Sequence, residues 1–177
     1  GRDFRVRRTP SDTFSYYGLE NTWHDLRTAL RGSHQADNAA LVLAACELLR
    51  KRKLSLEIDD IKKGLITNHW PGRLETVSTH PLVILDGAHN QAAARNLAAF
   101  LSSNLAGLNL TLVIGILDDK PYKVMLRSLL PLADRVVLTR AKIDRALDPA
   151  KLTEVARELG VKNTVVPDVA QAVKHAI

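Results

Sequence analysis

The stretch Leu82–Ala94, LVILDGAHNQAAA, constrains the fold more than any other part of the chain. Four apolar residues end on Asp86, the turn Gly87-Ala88-His89-Asn90 follows, and an alanine-rich helix begins. Strands buried on both faces of a parallel sheet read as continuous apolar runs, and ligands gather at their carboxyl ends in open α/β folds. Leu82–Leu85 is therefore expected to be a buried strand of such a sheet, with Asp86 and His89 where chemistry is placed. Gly87 lets the backbone turn close beside a ligand. The same residues also suit a plain strand-to-helix corner in which Asp86 and Asn90 cap the helix, and the local sequence leaves both readings open.

The rhythm set by this stretch continues to the end of the chain. A helix is expected over Gln91–Leu105, a strand over Leu110–Ile114 (LTLVI) and a helix over Tyr122–Leu132. A strand over Arg135–Thr139 (RVVLT), a helix over Pro149–Leu159, a short strand over Thr164–Val166 and a helix from Val169 to Ile177 complete the series. Strands alternating with helices of this length imply right-handed β-α-β crossovers and a parallel sheet. The fold class is α/β: a mostly parallel, Rossmann-like sheet with helices on both faces.

The first seventy residues follow a different pattern. Gly1–Tyr17 reads as short β structure with a Thr9-Pro10-Ser11-Asp12 turn, too poor in apolar residues to stand without packing on something else. A helix is expected between Gly32 and Arg52, with Ser33 or Asp37 as its N-cap and apolar residues at helical spacing over Ala39–Leu49. A second helix is expected over Leu56–Leu65. Pro71-Gly72 then breaks the pattern, and a domain boundary is expected near residue 70. The chain starts abruptly at Gly1 and its last helix runs to Ile177, so it is expected to be a piece of a longer protein.

Charge and composition exclude several classes. The net charge is +6 with a pI of about 9.7, which raises nucleic acid as a partner. The basic excess is the same on either side of Lys63, however, and the only basic run, Arg50-Lys51-Arg52-Lys53, falls at a helix end, where cations complement the helix dipole. No aromatic residues interleave with it as a single-strand groove would need, so no nucleic-acid partner is expected. No apolar run approaches a membrane span, and no membrane partner is expected either. The single Cys46 cannot form an internal disulfide and agrees with a cytoplasmic location.

The common catalytic signatures are missing. The sequence contains no Gly-x-x-x-x-Gly-Lys-Ser/Thr phosphate loop, no Gly-x-Gly-x-x-Gly after a strand, no zinc spacing and no Gly-x-Ser-x-Gly elbow. Three smaller groups remain. Gly32-Ser33-His34-Gln35-Ala36-Asp37-Asn38 opens a helix, and its Asn38 has the donor and acceptor set that pairs with adenine; these residues serve equally as caps. Arg73 in Pro71-Gly72-Arg73-Leu74-Glu75 could reach a phosphate from its turn, or be simply solvated. Asp86 could accept hydrogen bonds from ribose hydroxyls, with His89 near an anionic group. Asp118-Asp119-Lys120 and Asp144-Arg145-Ala146 add charges of both signs along the same rim of the sheet.

In order and spacing, GSHQADNAA, WPGRLE, LDGAHN, Asp119-Lys120 and Arg145-Ala146 resemble the folylpolyglutamate synthase/dihydrofolate synthase family of the Mur ligase superfamily. The resemblance extends over essentially the whole chain, Gly1-Arg2-Asp3-Phe4 included. Gln91 replaces the proline usual after the DGAHN motif, at a first helical position that tolerates both. The resemblance implies that residues 1–70 are the C-terminal part of an ATPase domain and residues 71–177 a glutamate ligase domain truncated at its end. It implies ATP as the nucleotide, with Asn38 at adenine, Arg73 at the phosphates, Asp86 at the ribose and His34 as a further ATP contact. His89 would lie toward the glutamate pocket. The phosphate loop, the carbamylated lysine and the ligands for Mg are then expected upstream of Gly1, with no metal ligand in this chain.

The family reaction, by the same resemblance, activates a folate carboxylate as an acyl phosphate that the amine of L-glutamate attacks. Folate and L-glutamate are the expected substrates, in a monomeric enzyme, and this piece is expected to be inactive alone. Two alternatives are a Mur-type amide ligase acting on a cell-wall precursor and a non-catalytic α/β binding domain.

Overall fold

The computed structural model describes residues 3–9 and 12–177. Gly1, Arg2 and the centre of the expected Thr9–Asp12 turn lie outside the described residues. The chain divides into two units, residues 1–77 and 78–177.

In the first unit, Phe14–Tyr17 (β2) has alternating burial because successive side chains of a strand face opposite ways. Phe14 and Tyr16 point inward, at 2% and 0% exposure. β2 pairs antiparallel with Arg5–Arg8 (β1) on one side and with Thr22–Leu26 (β3) on the other. β3 was not expected. Its buried residues, Trp23 and Leu26, are three apart rather than two, because the β2–β3 register shifts between Phe14 and Tyr16 and Asp25 takes a positive φ of 54°. An irregular strand of this kind loses the period-two signature. Trp23 stacks on Tyr16 with ring centroids 5.4 Å apart.

His34–Lys51 (α1) lays Ala36, Ala39, Ala40, Leu43 and Ala44 into the same core. That spacing keeps them on one helix face. Ile61 and Leu65 of Ile58–Thr67 (α2) join them. Arg50 and Lys51 occupy the last turn of α1 as expected, and Lys51 pairs with Glu20 at 2.8 Å.

The expected α1 cap does not form. Ser33 occupies the cap position in a helical conformation without a side-chain bond. Asp37 is one turn in, where it pairs with Arg8, whose Nε also donates to the Ser33 carbonyl at 2.9 Å. A strand cation thus ties down the helix start where a capping hydroxyl would otherwise act.

The strand at Leu82–Leu85 departs from the expected arrangement. Leu82–Leu85 (β5) does not join the parallel sheet but pairs with Glu75–Thr79 (β4). Nor is it fully buried: Leu82 is 48% and Leu85 53% exposed. β4 escaped detection because ETVST offers a single large apolar residue, Val77, which is itself exposed.

The second unit is the α/β layer foreseen from the rhythm. Thr111–Ile114 (β6), Arg135–Arg140 (β7) and Asn163–Asp168 (β8) form a parallel sheet in the order β6-β7-β8. Val136, Val137, Leu138 and Thr139 are all under 5% exposed. Neighbouring residues of a strand face opposite sides, so both faces of β7 are covered.

Tyr122–Leu129 (α4) and Pro149–Glu158 (α5) carry the two crossovers, which right-handedness places on one face, and they pack on each other. Val169–Ala176 (α6) packs on all three strands. Gln91–Asn104 (α3) packs on α4. The helix expected to reach Leu132 stops at Leu129 and finishes as a 3-10 turn, Leu130–Leu132. Pro131 has no N–H to donate, so the α-helical hydrogen-bond ladder cannot continue through it.

Candidate functional site

In the first unit the groups around residues 32–38 and 71–75 meet. Leu74 is 2% exposed, and a Cβ built on Gly32 would fall 3.1 Å from its Cδ1 and 2.7 Å from the His34 ring. Gly32 has a φ of 99°, so both the conformation and the close approach require glycine here. Arg31 donates to Thr76 Oγ1 at 2.8 Å. Gly72 N–H donates to Glu75 Oε2 at 2.8 Å, closing the Pro71-Gly72 turn. Arg73 is thereby held in a seated turn, half-buried, and among the described residues its guanidinium has no hydrogen-bond or ion-pair partner.

A polar relay runs along the start of α1. Asn38 Nδ2 donates to Gln35 Oε1 at 2.9 Å, and Gln35 Nε2 lies 3.1 Å from His34 Nε2. Gln35 is 4% exposed and carries no freedom to turn. With its oxygen committed to Asn38, its amide must donate to His34. Asn38 is exposed and keeps its carbonyl oxygen and one N–H for another partner, which is the set an adenine edge requires.

In the second unit the corner after β5 divides its work. Asn90 Oδ1 accepts from Ala93 N at 2.8 Å and caps α3. Asp86 does not cap the helix; its Oδ1 accepts from Ala88 N at 2.9 Å and shapes the turn. His89 is exposed, and its Nδ1 lies 2.9 Å from the Gly87 carbonyl. A carbonyl only accepts, so Nδ1 carries the proton and Nε2 of the neutral ring is an outward-facing acceptor.

The charged rim at the carboxyl ends of β6 and β7 is stitched together. Leu117 bridges Ala146, Asp118 N donates to Arg145 O at 2.9 Å and Leu147 N to Ile116 O at 3.0 Å. Asp119 accepts from Lys120 Nζ at 2.7 Å and lies 3.7 Å from Arg145. The Lys120 hydrogen bond, reinforced by both cations, holds the Asp119 carboxyl below its usual range. Asp144 joins no ion pair among the described residues.

The sequence reading missed one buried acid, Glu47, which is 1% exposed. Its position on the inward stripe of α1 with Ala36, Ala40 and Leu43 was the available signal. Oε2 accepts from Tyr16 Oη and Leu19 N, each at 2.8 Å. Oε1 accepts from Glu20 N at 3.1 Å, Asn21 N at 2.7 Å and Asn21 Nδ2 at 2.9 Å. Burial pushes this carboxyl upward, but the five donors outweigh it and hold it at about 2. Burial and the Glu47 hydrogen bond raise the Tyr16 hydroxyl. This network is structural: it ties the Gly18–Asn21 loop to α1.

Comparison with known proteins decides the family. Residues 72–177 match the profile of "Mur ligase, glutamate ligase domain". The chain belongs to the Mur ligase family. It is 38% identical over 136 residues to the dihydrofolate synthase/folylpolyglutamate synthase of Bacillus subtilis, covering 76% of this chain and 32% of that protein. It superimposes on the Mycobacterium tuberculosis folylpolyglutamate synthase complexed with ADP and AMPPCP with a TM-score of 0.88 at 31% identity, covering 98% of this chain and 40% of the other. A bifunctional folylpolyglutamate synthase/dihydrofolate synthase with Mn, AMPPNP and L-glutamate bound gives a TM-score of 0.79 at 28% identity, covering 98% and 39%. The chain thus spans about a third of the curated relative's length. Among the described residues no group of three or more His, Cys, Asp or Glu is gathered as a metal ion would need, and none of the described helices is long and apolar enough to cross a membrane.

Proposed function

We propose that this chain is part of an ATP-dependent ligase that adds L-glutamate to the carboxylate of a folate through an acyl phosphate. The observation that carries the reading is Arg73, an unpartnered cation held in a turn whose neighbour Leu74 is seated beside Gly32 and His34. An Arg on such a turn suits a phosphate, because its planar fork of donors matches two phosphate oxygens and is left unpaired by the protein. Asn38 contacts adenine with the acceptor and donor its relay leaves available, and His34 supports that contact through Gln35. Asp86 holds the ribose. His89 presents Nε2 toward the glutamate side.

Residues 1–70 then belong to an ATPase domain and 71–177 to the glutamate ligase domain, of a monomeric cytoplasmic enzyme. No step is assigned to Mg through this chain. Arg73 contributes charge stabilisation where negative charge concentrates during carboxylate activation.

The test is incorporation of labelled L-glutamate into a reduced folate by the enzyme that carries this chain. Arg73→Ala and Asp86→Asn should each lower turnover at least tenfold, with Asn38→Ala raising KM for ATP. The isolated 177-residue chain should neither form folate polyglutamates nor hydrolyse ATP. Folate ligation unaffected by all three substitutions would overturn the site assignment, and robust turnover by the isolated chain would overturn its inactivity.

A further inference from the structure

An open cleft of about 570 Å³ lies beside the carboxyl end of β7, lined among others by the exposed Arg140 and Arg157 and by Asp148, Glu154, Val165 and Pro167. It lies wholly within the second unit, apart from Asp86 and His89 in the chain, and nothing above uses it. Its two cations are the informative feature. Among the described residues the guanidinium of neither Arg140 nor Arg157 has a hydrogen-bond or ion-pair partner. Three of the acids around them are already engaged. Asp168, opposite Arg140 in the β7–β8 register, pairs with Lys142 at 2.8 Å and accepts from Gln171 N at 3.0 Å. Asp148 accepts from Ala150 N at 2.9 Å to start α5, and Glu158 pairs with Arg127 at 3.7 Å. Glu154 is the one carboxylate of the lining without such a partner.

We propose that this cavity binds a flexible oligo-carboxylate, the γ-linked glutamate tail of a substrate already carrying several glutamates, through Arg140 and Arg157. Two planar guanidinium forks in one cavity match two carboxylates of one ligand, each bidentate. The volume falls in the range of pockets that hold ligands of several hundred daltons, about 300–1000 Å³, and so suits a short oligomer better than one amino acid. Val165 and Pro167 supply an apolar wall for the methylene spacers between carboxylates. Glu154 disfavours a single compact anion and tolerates an extended one that keeps its charges at the two arginines. The inference rests on the ligase reading above, since that reaction yields such a tail.

The test is a calorimetric titration of the 177-residue chain with γ-linked tetraglutamate, without folate or nucleotide. Binding that is at least tenfold tighter than free L-glutamate, weakened at least tenfold in Arg140→Gln/Arg157→Gln and tightened about two- to threefold in Glu154→Gln, supports the subsite. Single variants Arg140→Gln and Arg157→Gln, checked by circular dichroism, guard against a folding defect in the double variant. Equal binding of citrate or inorganic phosphate, or tetraglutamate binding unchanged by the double variant, would overturn it. ADP titrated into Asp86→Asn is the separate arm. Loss of ADP binding there with tetraglutamate never bound sinks only the subsite. Tetraglutamate binding as described with ADP indifferent to Asp86 leaves the subsite standing and sinks the nucleotide-site assignment.

Discussion

Replacing Glu47 by glutamine isolates a buried carboxylate that accepts five hydrogen bonds in the first unit. The carboxyl sits at about 2 against an ordinary 4.5, which corresponds to about 3 kcal/mol of stability at neutral pH. The folded value is the depressed one, so the contribution is complete above pH 4.5 and is lost as pH falls toward 2; at pH 3 about 1.5 kcal/mol remains. Glutamine keeps the volume but turns one acceptor oxygen into a donor. Tyr16 can rotate its hydroxyl to accept, whereas the N–H groups of Leu19, Glu20 and Asn21 cannot. Glu47→Gln should therefore cost about 3 kcal/mol at pH 7 and about half that at pH 3.

Trp23 is the natural probe, because it is buried and stacks on Tyr16, while Trp70 is 60% exposed. Urea titrations followed by Trp23 fluorescence in a Trp70→Phe background, at pH 7 and pH 3, give the two differences. A penalty equal at both pH values, or below about 1 kcal/mol at pH 7, would show that the five hydrogen bonds do not set the ionisation of this carboxyl.

Three further outcomes follow from the geometry. Gly32→Ala places a methyl 2.7 Å from the His34 ring at a φ of 99° and should destabilise the first unit by about 1–3 kcal/mol, read by the same fluorescence titration. Leu138→Ala empties a fully buried position on β7 and should cost about 2–5 kcal/mol by far-ultraviolet circular dichroism, with Leu138→Met costing far less. Asn90→Ala removes the cap of α3 and should cost about 1 kcal/mol, with Asn90→Asp retaining most of it, measured by thermal unfolding.

The α/β rhythm was legible because β6 and β7 are nearly continuous apolar runs and β8 holds a short one, Val165-Val166, separated by helices of ordinary length; β7, buried on both faces, shows the pattern most directly. β3 and β4 were not legible for opposite reasons. β3 is apolar enough, but Asp25 at a positive φ and the shifted register destroy its alternation. β4 is regular in the backbone, but Thr76, Ser78 and Thr79 give it little apolar signal. Leu82–Leu85 misled in a third way. Its composition is that of a sheet interior, yet among the described residues it pairs with the polar β4 and leaves both end leucines half in solvent. A continuous apolar run reports that a strand is to be covered, without saying by which element.

The site residues show the same limit at the scale of single side chains. Asp86 and Asn90 were interchangeable from sequence, since both are short, polar and prone to bond the backbone two or three residues on. Position relative to the helix separates them. Asn90 has extended dihedrals immediately before Gln91 and reaches the third N–H of α3, whereas Asp86 is four residues earlier and accepts from Ala88 N within the turn. That division matters for function. A cap consumes its acceptor and must stay where it is, so Asn90 is committed to the helix. Asp86 and the His89 ring, one anchored at Ala88 N and the other at the Gly87 carbonyl, are instead fixed by the loop itself. A helix start held by Asn90 and a turn held by Asp86 together leave the His89 Nε2 facing outward on a backbone that needs no ligand to order it, the arrangement that binding without a large ordering cost requires.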